Sequence, residues 1–268
     1  SVQVAFWVVA MLVVLAVGVN WRDVLGGLWP SLPAGSATTV VAILGTTISP
    51  YLFFWQSAQE LEEMNLEHAR PLLQRPRAAP RELTRLVKDS AGGFLVTMTI
   101  SLCIIAATAA TLHGAGTTTI ATAADAAAAL RPIAGDFAFA LFALGIIGTG
   151  LLAVPVLAGS AAYALSEVMG WRAGLELKPR EAAGFYGVIF VAVSAALALD
   201  IIGIDPMKAL FWTAVVNGLV AVPVMLAIML LASRRAVMGN FRARGAQALL
   251  GWGAVVLMAL SAAGMFLL

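Results

Sequence analysis

The 268-residue sequence is 61% hydrophobic and 11% charged, with a mean hydropathy of +0.95. A water-soluble domain has no way to hide that much apolar surface behind so few polar side chains. The formal charge of +2 and isoelectric point near 9.0 do not mark a nucleic-acid-binding face, because the basic residues lie in short connections between apolar runs.

A helix needs about 20 apolar residues to cross the hydrocarbon core. Seven runs approach or exceed that length, at residues 4–20, 37–58, 92–112, 137–168, 183–202, 209–232 and 248–268. The expected fold class is therefore an all-α integral membrane protein, one transmembrane domain of seven helices over residues 1–268, placed in the cell membrane as a multi-pass protein in contact with lipid. The first run begins almost at Ser1, with no basic leader and no small-residue cleavage site. The expectation is that the sequence starts partway through a longer protein. The fourth run is long enough to tilt or to reach beyond the bilayer.

The connections orient the helices. Counted from a cytoplasmic start, the loops after runs two, four and six hold Arg70, Arg75, Arg77, Arg81, Arg85 and Lys88, then Arg172, Lys178 and Arg180, then Arg234, Arg235, Arg242 and Arg244. Only Arg22, Arg131 and Lys208, of sixteen basic residues, fall on the other side. Basic residues gather in cytoplasmic loops, so the N-terminus is expected inside and the C-terminus outside. Residues 60–89 read as the one sizeable cytoplasmic loop, interrupted by Pro71, Pro76 and Pro80, with a short interfacial helix at 80–88. The Thr- and Ala-rich loop at 112–130 lies outside. Cys103, the single cysteine, sits within an apolar run and reads as a structural thiol.

Ionisable groups are costly inside a membrane and therefore informative. Asp136, Glu167, Asp200 and Asp205 all fall at or near the ends of runs, which argues against a proton pump whose relay of buried acids lies wholly within these helices. The second run differs from the rest. Gly45 and Pro50 bracket Thr46-Thr47-Ile48-Ser49 close to mid-membrane. Pro50 cannot donate to the carbonyl of Thr46, and Ser49 is pushed away from helical angles by the proline that follows. Two readings stand. In one, the helix breaks and leaves carbonyls around residues 45–47 to face an ion or water. In the other, it merely kinks, and the hydroxyls bond back to the preceding turn. Beyond the break, Tyr51, Trp55, Gln56, Gln59 and Glu60 make one side amphipathic, as in a half-helix lining an aqueous path.

In the sixth run Asn217 is mid-span and serves either as a bond between helices or as a ligand. Gly145, Gly148, Thr149, Gly150 and Pro155 in the fourth run read as a close-packing surface. His68 and His113 read as solvated loop residues. No nucleophile–base pair or histidine cluster converges on one depth, so an enzyme is not expected.

Residues 45–60, Gly-Thr-Thr-Ile-Ser-Pro-Tyr-Leu-Phe-Phe-Trp-Gln-Ser-Ala-Gln-Glu, resemble the sixth transmembrane helix of the Nramp family of divalent-metal transporters, in particular a divergent Nramp-related bacterial branch. Residues 217–223, Asn-Gly-Leu-Val-Ala-Val-Pro, are similar to the family's tenth helix. The resemblance implies helices five to eleven of a LeuT-like fold of two inverted five-helix repeats, with the N-terminal helices missing. It implies a secondary transporter of Mn²⁺, Fe²⁺ or Mg²⁺-class ions, coupled or not to protons, with the ion as substrate and no cofactor. On this alignment Gly45 and Pro50 frame the helix break. Thr46 supplies a backbone carbonyl, Ser49 stands where the family has a methionine ligand, and Asn217 lies near a glutamine that joins the shell. Tyr51 replaces a histidine tied to proton movement and, with Gln56, falls on the proton or gating path. A hydroxyl in place of a thioether favours harder ions, and a phenol does not exchange its proton near neutrality as an imidazole does. The negative charge that a divalent ion requires is expected from an Asp in the family's first helix, which is not in this sequence. The alternative is a LeuT-fold carrier of amino acids or other small organic solutes. The orientation and the absence of lysine in the last run argue against a seven-helix receptor or retinal protein.

Overall fold

The computed structural model describes residues 35–66, 72–74, 79–109, 122–128 and 135–267, with a few single positions between them. All regular structure among the described residues is helical. In chain order the helices are α1 (Ala37–Ile48), α2 (Tyr51–Leu66), α3 (Ala79–Thr108), α4 (Ala123–Ala127), α5 (Ala138–Met169), α6 (Ala183–Ile201), α7 (Pro206–Ser233), α8 (Arg235–Met238) and α9 (Ala246–Leu267).

Among the described residues, five segments are long and apolar enough to cross a membrane: α1 with α2, then α3, α5, α7 and α9. Helix α6 is apolar too and 19 residues long. The run at 4–20 and most of the loop at 112–130 lie beyond the described residues. Large apolar side chains stand on the helix exteriors: Leu151, Phe190, Leu249 and Phe266 are each more than 70% exposed. Water would not tolerate this surface, whereas lipid tails cover it at no cost.

Helices overrun the apolar runs where good helix formers continue. Gln59, Glu60, Glu62 and Glu63 carry α2 on to Leu66. The segment expected as a separate interfacial helix at 80–88 is instead the start of α3, which runs on unbroken through the apolar residues that follow. Pro80 permits this because it occupies the first turn, where its missing N–H has no intrahelical partner to lose.

The chain divides into two compact units, Ser1–Ser31 with Arg77–Ala153 and Leu32–Pro76 with Val154–Leu268. The first contains α3, α4 and the start of α5. Its α3 carries an exposed Arg85–Glu82 pair at 3.4 Å, and α4 begins in a capping box between Thr122 and Asp125.

The second unit is organised around two packing centres. In one, α1 crosses α7, and α9 packs on both. Val41, Val215 and Met258 are 2% exposed or less there. Gly45 and Gly218 make the crossing possible. A Cβ on Gly45 would overlap the Ala214 carbonyl and the Gly218 backbone, and one on Gly218 would lie 2.6 Å from the Val41 carbonyl. Small residues let membrane helices meet backbone to backbone. Helix α7 starts where Pro206 fixes the first turn and Asp205 accepts the Met207 N–H at 2.9 Å. In the other centre, the indole of Trp55 on α2 rests on Gly159 of α5, and Tyr163 and Phe185 stack beside it.

Candidate functional site

The site begins at the junction of α1 and α2. Helix α1 stops at Ile48, and Ser49 takes a left-handed conformation, φ 45° and ψ 75°. For a residue with a Cβ this costs about 1 kcal/mol, so local bonds must compensate. The Ser49 N–H donates to the Gly45 carbonyl at 3.1 Å, and its hydroxyl donates to the Thr46 carbonyl at 2.7 Å. The side chain of Ser49 thereby supplies the donor that Pro50 lacks. Ser49 is 7% exposed, and Pro50 is buried beside it.

Elements of both sequence readings occur together. Thr46 and Thr47 donate their hydroxyls back to the carbonyls of Ala42 and Ile43, at 2.6 and 2.9 Å. The helix nevertheless terminates, and α2 restarts with the Leu52 N–H on the Ser49 carbonyl. Thr46 is exposed, and its carbonyl keeps one of two lone pairs after accepting from Ser49.

The crossing of α1 and α7 sets Asn217 one residue from the Gly45–Gly218 contact. Asn217 is half-buried, and its amide has no hydrogen-bonding partner among the described residues. The polar groups of the residues expected to form the site, Thr46, Ser49 and Asn217, are neutral oxygens of carbonyl, hydroxyl and amide type. Tyr51 opens α2 half-buried, and Gln56 is exposed one turn and a half further along. Among the described residues, no three His, Cys, Asp or Glu side chains stand close enough to hold a metal ion together.

About 16 Å along α2 from Tyr51, at the helical rise of 1.5 Å per residue, Glu62 makes a second polar centre. Its carboxylate accepts the Tyr163 hydroxyl at 2.5 Å and the Leu175 N–H at 3.3 Å. Gln59 makes a long contact of 3.5 Å to the same Tyr163 oxygen. Tyr186 donates to the Leu177 carbonyl at 2.9 Å, fixing the loop that carries Leu175. Around them lies a cavity of about 360 Å³, lined by Ser57, Glu62, Asn65, Glu167, Trp171 and Glu176 among others.

Sequence reading passed over Glu62, which fell in the 60–89 loop, and Tyr163, which fell in the fourth apolar run. A signal was present: Trp55, Gln59 and Glu62 recur at helical spacing on one face of α2. Removing the Tyr163 hydroxyl leaves a half-buried carboxylate with one fewer donor. Tyr163→Phe is expected to lower stability by about 1–2 kcal/mol, read as an earlier midpoint of thermal unfolding in detergent. A midpoint equal to that of the parent would show that this bond does not hold α2 in place.

Long apolar helices, one of them broken at a buried Ser-Pro pair, define a multi-pass integral membrane protein. The chain belongs to the Nramp family, whose model, described as natural resistance-associated macrophage protein-like, matches residues 1–268. It is 28% identical over 262 residues to the divalent metal cation transporter MntH of Acidiphilium cryptum, covering 92% of this chain and 54% of that protein. It is 26% identical over 231 residues to the MntH of Deinococcus radiodurans, covering 85% and 48%. For the MntH of Aeromonas hydrophila the identity is 24% over 223 residues, covering 81% and 49%. All three carry the name of a transporter and not of an enzyme, and the chain spans about half the length of each.

Proposed function

We propose that this chain forms part of a secondary transporter that carries divalent metal ions, of the Mn²⁺, Fe²⁺ or Mg²⁺ class, across the cell membrane in a LeuT-like inverted-repeat fold. The observation that carries the reading is the break at Ser49-Pro50, one turn along α1 from the Gly45–Gly218 crossing. Family membership and the names of the three relatives support it.

In this reading the ion is held by the Thr46 carbonyl, the Ser49 hydroxyl and the Asn217 amide oxygen. All are hard donors, which favours Mn²⁺ or Mg²⁺ over soft ions. A divalent cation also needs anionic oxygen in its shell, and we assign that to helices of the complete transporter that precede these 268 residues. Tyr51 and Gln56 line the way from the break along α2. The cavity at Glu62, Glu167 and Glu176 is then the cytoplasmic mouth, where carboxylates raise the local concentration of cations without binding any one of them firmly.

The test is Mn²⁺ uptake into proteoliposomes holding the protein made from its full reading frame, with Mg²⁺ and amino acids as competitors and internal pH recorded. Saturable uptake that divalent ions suppress and amino acids do not is the expected result, and the pH trace decides whether protons move with the metal. Amino-acid uptake without any Mn²⁺ flux would overturn the substrate assignment.

A further inference from the structure

Helix α7 leads through α8 into α9 by a tight turn with an unusual set of polar groups. The Ala243 N–H donates to the Ala232 carbonyl at 2.9 Å and closes the turn on itself. Their chain neighbours, Ser233 and Arg242, flank that bond. Ser233 Oγ and Arg242 Nε are both buried, and neither has a hydrogen-bonding partner among the described residues. Buried donors of this kind are rare and call for an acceptor.

No acidic acceptor lies nearby in the sequence. Residues 206–268 contain no Asp or Glu, while Arg234, Arg235 and Arg244 stand exposed around the same turn. The turn is also built to hold its shape. Gly239 adopts φ 55°, and Leu73 lies so close that a Cβ there would be 2.9 Å from its Cδ2. A guanidinium fork and a hydroxyl, with further arginines at the rim, match the oxygens of a phosphate group.

We propose that residues 233–244 form a binding site for a phosphate oxyanion, with Ser233 and Arg242 as the inner donors and Arg234, Arg235 and Arg244 as the outer cations. The turn ends two apolar helices, α7 and α9, at headgroup depth on the side where basic loops gather. An anionic phospholipid of the cytoplasmic leaflet is the source this placement favours. Free phosphate is the other source of the same chemistry. The inference is independent of which substrate the transporter carries.

The experiment compares retention of phosphatidylglycerol and phosphatidylcholine by the protein made from its full reading frame, using native mass spectrometry of detergent-solubilised material, with inorganic phosphate tested separately for thermal stabilisation. Phosphatidylglycerol is expected to be preferred, and Arg242→Gln to reduce that preference about fivefold, the worth of one arginine beside an anionic headgroup. Arg131→Gln, in a loop that the distribution of basic residues assigns to the outside, leaves it unchanged. Ser233→Ala weakens the preference in the same direction and serves where Arg242→Gln fails to fold. If inorganic phosphate stabilises the parent but neither variant, and no lipid preference exists, the site stands with free phosphate as its ligand. Folded variants that match the parent in both lipid retention and phosphate response would overturn the proposal.

Discussion

Gly45→Val is expected to cost about 3 kcal/mol or more, at the upper end of what overpacking exacts, and to abolish uptake. The reason lies in what the new side chain meets. Its Cβ would overlap the Ala214 carbonyl oxygen and the Gly218 backbone, atoms of a helix main chain that have no rotamer by which to retreat. Helices α1 and α7 must separate, and Val41 and Val215, now almost fully buried, lose their contact. Gly253→Ala is the matched control, because nothing lies within 4 Å of a Cβ there. Within α9 that substitution is neutral or gains up to about 1 kcal/mol from reduced chain entropy. Thermal unfolding in detergent separates the two. A Gly45→Val protein that melts with the parent would mean that the crossing does not have this geometry.

Ser49→Met carries the second large effect, this time on selectivity. The substitution removes the hydroxyl that caps the Thr46 carbonyl and places a thioether at the break. Both changes alter the donor set in the proposed site: a carbonyl regains its second lone pair, and a soft sulfur replaces a hard oxygen. Uptake of Cd²⁺ relative to Mn²⁺ is expected to rise about tenfold, on the order of 1.4 kcal/mol of differential binding. Ser49 is buried, so the longer side chain also tests the room at the break. Ser49→Cys, smaller and likewise soft, serves where methionine does not fit. An unchanged Cd²⁺ to Mn²⁺ ratio in both variants would remove Ser49 from the metal shell.

How much of this was legible beforehand differs from residue to residue. Pro50 announced an interruption, because a missing N–H and a crowded carbonyl are properties of proline anywhere. What Ser49 does there was not legible. The residue before a proline is usually extended, and its left-handed turn depends on two short-range bonds that only the folded backbone brings into range. Hydropathy located apolar stretches but not helix ends. It reports which side chains lipid accepts, whereas α2 continues to Leu66 on helix propensity and on the anchorage of Glu62. The long pairings were beyond any local rule. Gly45 meets Gly218, and Glu62 meets Tyr163, through tertiary packing that no sequence window contains.

The Gly45–Gly218 crossing also has a consequence for biogenesis. The two glycines are 173 positions apart, the difference of their residue numbers, and at about 5–20 residues per second a ribosome needs roughly 10–35 s to make the intervening chain. For that interval α1 lacks α7, and its interrupted turn is held by the Ser49 N–H on the Gly45 carbonyl and by three hydroxyl bonds, from Thr46, Thr47 and Ser49. Those three internal bonds are available from the moment the segment leaves the ribosome. They let the broken helix wait in an apolar environment until α7 arrives.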